Sequence, residues 1–159
     1  MKLYKNGFIL LLLITLAGSV VYYTIRDDTQ FKLNARIARS LELNREASEL
    51  LAGGDYAEAR ELLLQSLSLN KLNAETYAYL GFVEHALENY QQAYEYYVSA
   101  LNMEATSAEM IKNLAEILIQ SAHYAEAEKY IKYGLKDFPD DESLIALLDR
   151  VQNIAVLKE

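Results

Sequence analysis

The sequence predicts an all-α protein: three stacked helical hairpins and a closing helix, preceded by one membrane-spanning helix. Three observations carry this expectation. Tyr56, Tyr90 and Tyr124 recur at intervals of 34, each followed three residues later by Ala59, Ala93 or Ala127. The same interval links Leu67, Leu101 and Leu135, and the small residues Ser66, Ala100 and Gly134. Separately, Gly7 to Ile25 is a run of 19 residues without a charge. A period near 34 belongs to helical hairpins that each bury their apolar side only against neighbours.

The amino-terminal run comes first. As a helix, residues 7–25 would extend about 28 Å, close to the ~30 Å hydrocarbon core of a bilayer. Tyr22 and Tyr23 fall where an interfacial aromatic belt belongs, and Arg26-Asp27-Asp28 ends the run. The expectation is an anchor over residues 1–26 with the lipid bilayer as partner of residues 7–25. Lys2 and Lys5 favour a cytoplasmic amino terminus with the body across the membrane, whereas Arg26, Lys32, Arg36 and Arg39 favour the reverse. A cleaved signal peptide is the competing reading, with Phe8 to Leu16 as apolar core and Ala17 and Ser19 before the cut.

Residues 27–39 read as a helical extension, because Phe31, Ala35, Ala38 and Leu41 keep a spacing of threes and fours. One helix is expected from about Gln30 to Ala52, with no glycine- or proline-rich hinge before the hairpins. The repeats then occupy residues 40–141, divided into 40–73, 74–107 and 108–141, and residues 142–159 form the closing helix and tail. Small residues mark close helix crossings: Ala47, Gly81 and Ala115 in the first helices, Ala93 in a second helix. Asp55, Asn89 and Thr106 are cap candidates, the last with Glu109 at capping-box spacing. Pro139 interrupts the chain, and Asp140 or Asp141 can cap the closing helix.

Charge and composition exclude several functions. The chain has no cysteine, hence no disulfide, thiolate metal site or thiol nucleophile. Its net charge is −8, and residues 46–159 hold 8 Lys/Arg against 20 Asp/Glu, a balance of −12. So acidic a body argues against nucleic acid, whose phosphates need cations. There is no glycine-rich phosphate loop, nucleophile elbow or paired catalytic carboxylate. His85 lies between Glu84 and Glu88, but a polar helix edge accounts for that trio, and His123 sits at a turn. No catalytic, cofactor-binding or metal-binding residue is assigned, and an enzyme is not expected.

The 34-residue units resemble the tetratricopeptide repeat family. Tyr77, Leu80-Gly81, Tyr90, Ala93, Tyr97 and Ala100 carry the likeness in the second unit. In the third it rests on Ile111, Leu114-Ala115, Tyr124, Ala127, Ile131, Gly134 and Pro139. The first unit departs from the pattern at Glu46 and Lys71, and in the closing helix Ile145 and Leu148 stand at buried positions with Asp149 in place of a small residue. The resemblance implies a right-handed superhelical stack whose first helices line a concave groove. Carried onto this chain, the groove residues are Asn44, Ser48, Glu75, Tyr79, Phe82, His85, Glu109, Lys112, Asn113 and Glu116. Tyr79 and Phe82 are aromatic anchors that core packing does not require, and the glutamates around them suit a peptide or protein segment of basic and aromatic character.

The family's clamp for the carboxyl terminus of heat-shock chaperones is not matched, since its positions hold Asn44, Ser48, Tyr79, Glu109 and Asn113. The resulting expectation is a membrane-anchored scaffold or assembly factor, in a bacterial envelope with its repeats in the periplasm. The alternative is a permanent accessory subunit that uses its transmembrane helix as main interface. Alternative locations are a protein cleaved and secreted to the periplasm, or repeats in the cytoplasm. The sequence leaves the oligomeric state open.

Overall fold

The computed structural model describes residues 2–156, with side chains described from Thr15 to Ile154. Among the described residues there are seven helices and no strand. They are α1 (Lys2–Gly53), α2 (Tyr56–Leu69), α3 (Ala74–Ala86), α4 (Tyr90–Asn102), α5 (Ala108–Gln120), α6 (Tyr124–Asp137) and α7 (Glu142–Val156). The chain divides into two compact units, Met1–Arg39 and Ser40–Glu159.

The first unit corrects an expectation. Among the described residues, no helix is long and apolar enough to cross a membrane. The span expected over residues 7–25 is therefore overturned, and with it the single-pass location, its orientation and the bilayer partner. Within residues 15–25, Ser19 Oγ donates to the Leu16 carbonyl (2.7 Å) and Thr24 Oγ1 to that of Val20 (2.9 Å). Charge comes directly after this stretch, with Arg26 5.4 Å from the Tyr23 ring and Lys32 paired with Asp28 at 2.7 Å. The part of the expectation resting on the side chains of residues 7–14 lies outside the described residues.

In the second unit the repeats find their physical meaning. Ala59, Ala93 and Ala127 are all fully buried, because they stand where the second helix of each hairpin meets its first. One apolar cluster gathers Ala47, Ala59, Leu63, Leu80 and Val83. A larger one is built on Tyr97, Ile111, Leu114, Ile131 and Leu144. A Cβ added to Gly134 would come within 2.9 Å of Ile111 and 3.2 Å of Leu144, so that glycine lets α6 approach its neighbours.

The closing helix corrects a register. Ile145 was expected inside, yet it is 41% exposed, and the buried residues of α7 are Leu144, Leu147 and Val151. An inner helix such as α5 is covered on two sides and buries Met110, Ile111, Leu114 and Ile117 alike. α7 is the last described helix, so only the stripe facing α5 and α6 is covered.

The hairpin turns repeat a feature that the sequence marks only once. Gly54, Glu88 and Ala122 all have positive φ, at 83°, 62° and 60°, again 34 residues apart. Each ends a helix with the same bond: the following N–H of Asp55, Asn89 or His123 donates to Leu50, Glu84 or Leu118 respectively, at 2.8–2.9 Å. This left-handed ending satisfies carbonyls that the helix leaves over. Glycine takes it without strain in the first turn; Glu88 and Ala122 carry a steric cost.

The caps are only in part those expected. Ser107 rather than Thr106 caps α5, accepting from the Met110 N–H at 3.1 Å, while Thr106 Oγ1 donates to Asp137. Asp141 caps α7 by accepting from the Leu144 N–H at 2.9 Å. Asp55 and Asn89 stand at the cap positions but make no side-chain cap bond.

Candidate functional site

A cavity of about 340 Å³ opens between α1, α3 and α5. Its wall begins with Ser48 and Leu51 on α1, continues through Tyr79 and Phe82 on α3, and closes with Glu109 and Asn113 on α5. Successive turns of α3 bring Tyr79 and Phe82 to one side, since residues three apart share a helix face. Both aromatics are half-buried. Phe82 packs edge-on against Tyr56, with ring centroids 6.2 Å apart, which fixes its orientation from α2.

The floor comes from a residue that the sequence offered only as part of the repeat pattern. Tyr97 of α4 is 1% exposed and passes across Gly81 into the cavity. A Cβ at Gly81 would lie 2.5 Å from the Tyr97 ring, so the missing side chain is what admits the tyrosine. The Asn113 amide donates to the Tyr97 hydroxyl at 3.3 Å. Burial raises the Tyr97 pKa, a tendency the Asn113 bond only partly opposes, so the phenol stays protonated at neutral pH with its own O–H available to donate. The glycine sixteen residues upstream was the available signal for this arrangement. Met110, also in the lining, was likewise missed.

The rim is acidic. Glu75 and Glu109 lie exposed in the first turns of α3 and α5, where the helix dipole favours a negative charge. The Tyr79 hydroxyl donates to Glu75 Oε1 at 3.2 Å. Burial, then the Glu75 charge and its bond, raise the Tyr79 pKa and keep the phenol a donor.

Of the ten residues expected in the groove, Ser48, Tyr79, Phe82, Glu109 and Asn113 come together around this cavity. Glu75 joins the rim through Tyr79. Asn44 lies elsewhere, 2% exposed, exchanging hydrogen bonds with the Thr76 hydroxyl at 3.0 and 3.1 Å. His85 is half-buried against Tyr90, with ring centroids 5.6 Å apart, and does not line the cavity. Lys112 lies toward Asp141, whose carboxyl is held below its ordinary value first by the Ser143 hydroxyl, then by the Leu144 N–H, with Lys112 contributing least. Glu116 is half-buried and outside the lining.

The described residues are not arranged for metal chemistry. No group of three His, Cys, Asp or Glu side chains among them could hold an ion. Glu84, beside His85 in sequence, is fully buried and committed elsewhere: Arg60 Nε donates to it at 2.6 Å and the Asn89 amide at 2.7 Å.

Comparison with known proteins agrees with this architecture. The tetratricopeptide repeat model matches residues 84–151, from the end of α3 into α7. No curated protein matches by sequence. The chain is similar to the tetratricopeptide domain of Arabidopsis OM64, with TM-score 0.68 and 16% identity over 74% of this chain and 98% of that one. It is similar to the first such domain of Spaghetti (RPAP3) bound to the HSP90 peptide SRMEEVD, with TM-score 0.70 and 13% identity over 76% and 95%. A third likeness is to the Yersinia enterocolitica type III secretion chaperone SycD in complex with a peptide of the translocator YopD. There the TM-score is 0.63 and the identity 19%, over 74% of this chain and 93% of that one. The fold is the all-helical tetratricopeptide repeat fold, and the match over residues 84–151 supports the family resemblance seen in the 34-residue pattern.

Proposed function

We propose that this protein is a non-enzymatic scaffold whose groove holds a segment of a partner protein. The segment would place an aliphatic or aromatic side chain between Tyr79 and Phe82, and a Lys or Arg against Glu75 and Glu109. The observation that carries this reading is the cavity itself, roofed by two aromatics yet floored by the Tyr97–Asn113 pair. Apolar walls with a few fixed polar groups are what ligand-binding clefts share. Two of the similar structures are described as holding peptides, one from HSP90 and one from YopD, which supports a peptide as ligand class. The acidic rim here favours a basic segment over an acidic one such as SRMEEVD.

A photo-crosslinking residue placed at Phe82 in the full chain tests this. The expected products are peptides that share an apolar or aromatic residue flanked by Lys or Arg. Products with no common segment, or a common segment rich in Asp and Glu, overturn the reading.

A further inference from the structure

The described surface has a basic site of its own. Only 8 Lys/Arg lie among residues 46–159, and three of them, Lys129, Lys132 and Lys136, converge on one cleft of about 470 Å³. Leu101 from the end of α4 and Tyr130 and Tyr133 from α6 supply its apolar surface, and no Asp or Glu lines it. It shares no lining residue with the groove between α1, α3 and α5.

The three lysines are not equally engaged. Lys132 pairs with Glu128 at 2.7 Å, and Gln152 donates to the same carboxylate. The other two ammonium groups rest beside aromatic faces: Lys129 5.5 Å from the Tyr130 centroid and Lys136 5.9 Å from that of Tyr133. Among the described residues neither forms an ion pair. Cations held over rings remain open to a carboxylate on their outer side. Seven residues of helix separate them, about 10.5 Å along α6.

We propose that this cleft is a second docking surface, specific for an acidic segment of a partner protein. Two carboxylates about 10 Å apart, the spacing of two helical turns, would meet Lys129 and Lys136. An aliphatic or aromatic residue between them would lie on Tyr130 and Tyr133. Charge complementarity selects this occupant: the cleft is cationic in a chain of net charge −8, and that overall charge repels a polyanion too large to be confined to the cleft. The protein would then join two partners of opposite charge, a basic segment in the groove and an acidic one on α6.

The test uses the full chain and a fluorescein-labelled decapeptide in which Glu-Glu pairs alternate with Leu-Phe, read by anisotropy at low salt. The same peptide with every Glu replaced by Gln is the control. The acidic peptide is expected to bind and the control not to. The double change Lys129→Glu with Lys136→Glu is expected to weaken binding at least tenfold, and Tyr133→Ala at least threefold. Phe82→Ala leaves this binding unchanged, and melting temperatures confirm that the exposed substitutions fold. No binding of the acidic decapeptide overturns the proposal. So does equal binding by the double variant, or tighter binding of a single-stranded RNA oligonucleotide or a phosphatidylserine vesicle than of the peptide.

Discussion

The seam between the first and second hairpins and the seam between the second and third solve one geometric problem with different chemistry. The second seam is mainly hydrocarbon, with Ile111, Leu114 and Ile131 fully buried around α5 and the Tyr97–Asn113 and Tyr94–Glu126 bonds crossing it. The first is threaded with polar groups. Ser40 and Ser66 share a hydrogen bond of 2.8 Å, Ser66 reaches Thr76 at 3.3 Å, and Thr76 and Asn44 exchange two more. All four residues are at most 2% exposed. Nearby, Glu84 is buried on Arg60 and Asn89. A hydrocarbon seam gains from area alone, whereas a polar seam adds little net stability but penalises any other alignment, since every shift strands a buried donor or acceptor.

Breaking each seam should therefore give different signatures. Ile111→Ala carries the largest expected loss, about 4 kcal/mol, from lost burial and the cavity left beside Gly134. Urea unfolding of the two chains measures it. Arg60→Met comes next at about 3 kcal/mol, because the cost lies in leaving the Glu84 carboxylate buried without its cation. Adding Glu84→Gln to that variant should recover part of the loss in the same assay.

Asn44→Ala should cost about 2 kcal/mol by removing two buried hydrogen bonds from the Thr76 hydroxyl, which keeps only the 3.3 Å contact with Ser66. The joint replacement of Asn44 by Leu and Thr76 by Val should lie within about 1 kcal/mol of the original, since both partners leave together. Equal losses in the single and joint variants would show that the first seam is held by packing instead. The smallest effect is a gain. Ala122→Gly should stabilise by about 0.5 kcal/mol, because relief of the positive φ outweighs the freedom glycine adds to the unfolded chain. The same change at Ala127, fully buried in a helix, should destabilise.

Much of this architecture was legible because periodicity reports local geometry. Ala59, Ala93 and Ala127 must be small wherever hairpins of this spacing close, and their recurrence says so without coordinates. Half of the groove was legible as well, since Ser48, Tyr79, Phe82, Glu109 and Asn113 inherit their facing from repeat position. What was not legible depends on partners that the period does not encode. Asn44 occupies a groove position by count, yet a threonine 32 residues away draws it into the seam. Tyr97 reads as one more repeat position until the space left by Gly81 shows how its ring reaches the cavity lining. Ile145 fails for want of a neighbour, as the repeat pattern presumes a next helix that α7 does not meet among the described residues. The strained turns at Glu88 and Ala122 were hidden because only Gly54 carries the residue type that advertises them.

The aromatic pair on α3 is where the fold and its proposed use meet. Isothermal titration of the crosslinked segment, made as a peptide, against the full chain and its Phe82→Ala variant addresses that point most directly. At least a tenfold loss of affinity with an unchanged melting temperature is the predicted result. Equal affinity in the two chains would contradict it and would move the partner's binding site off the concave face.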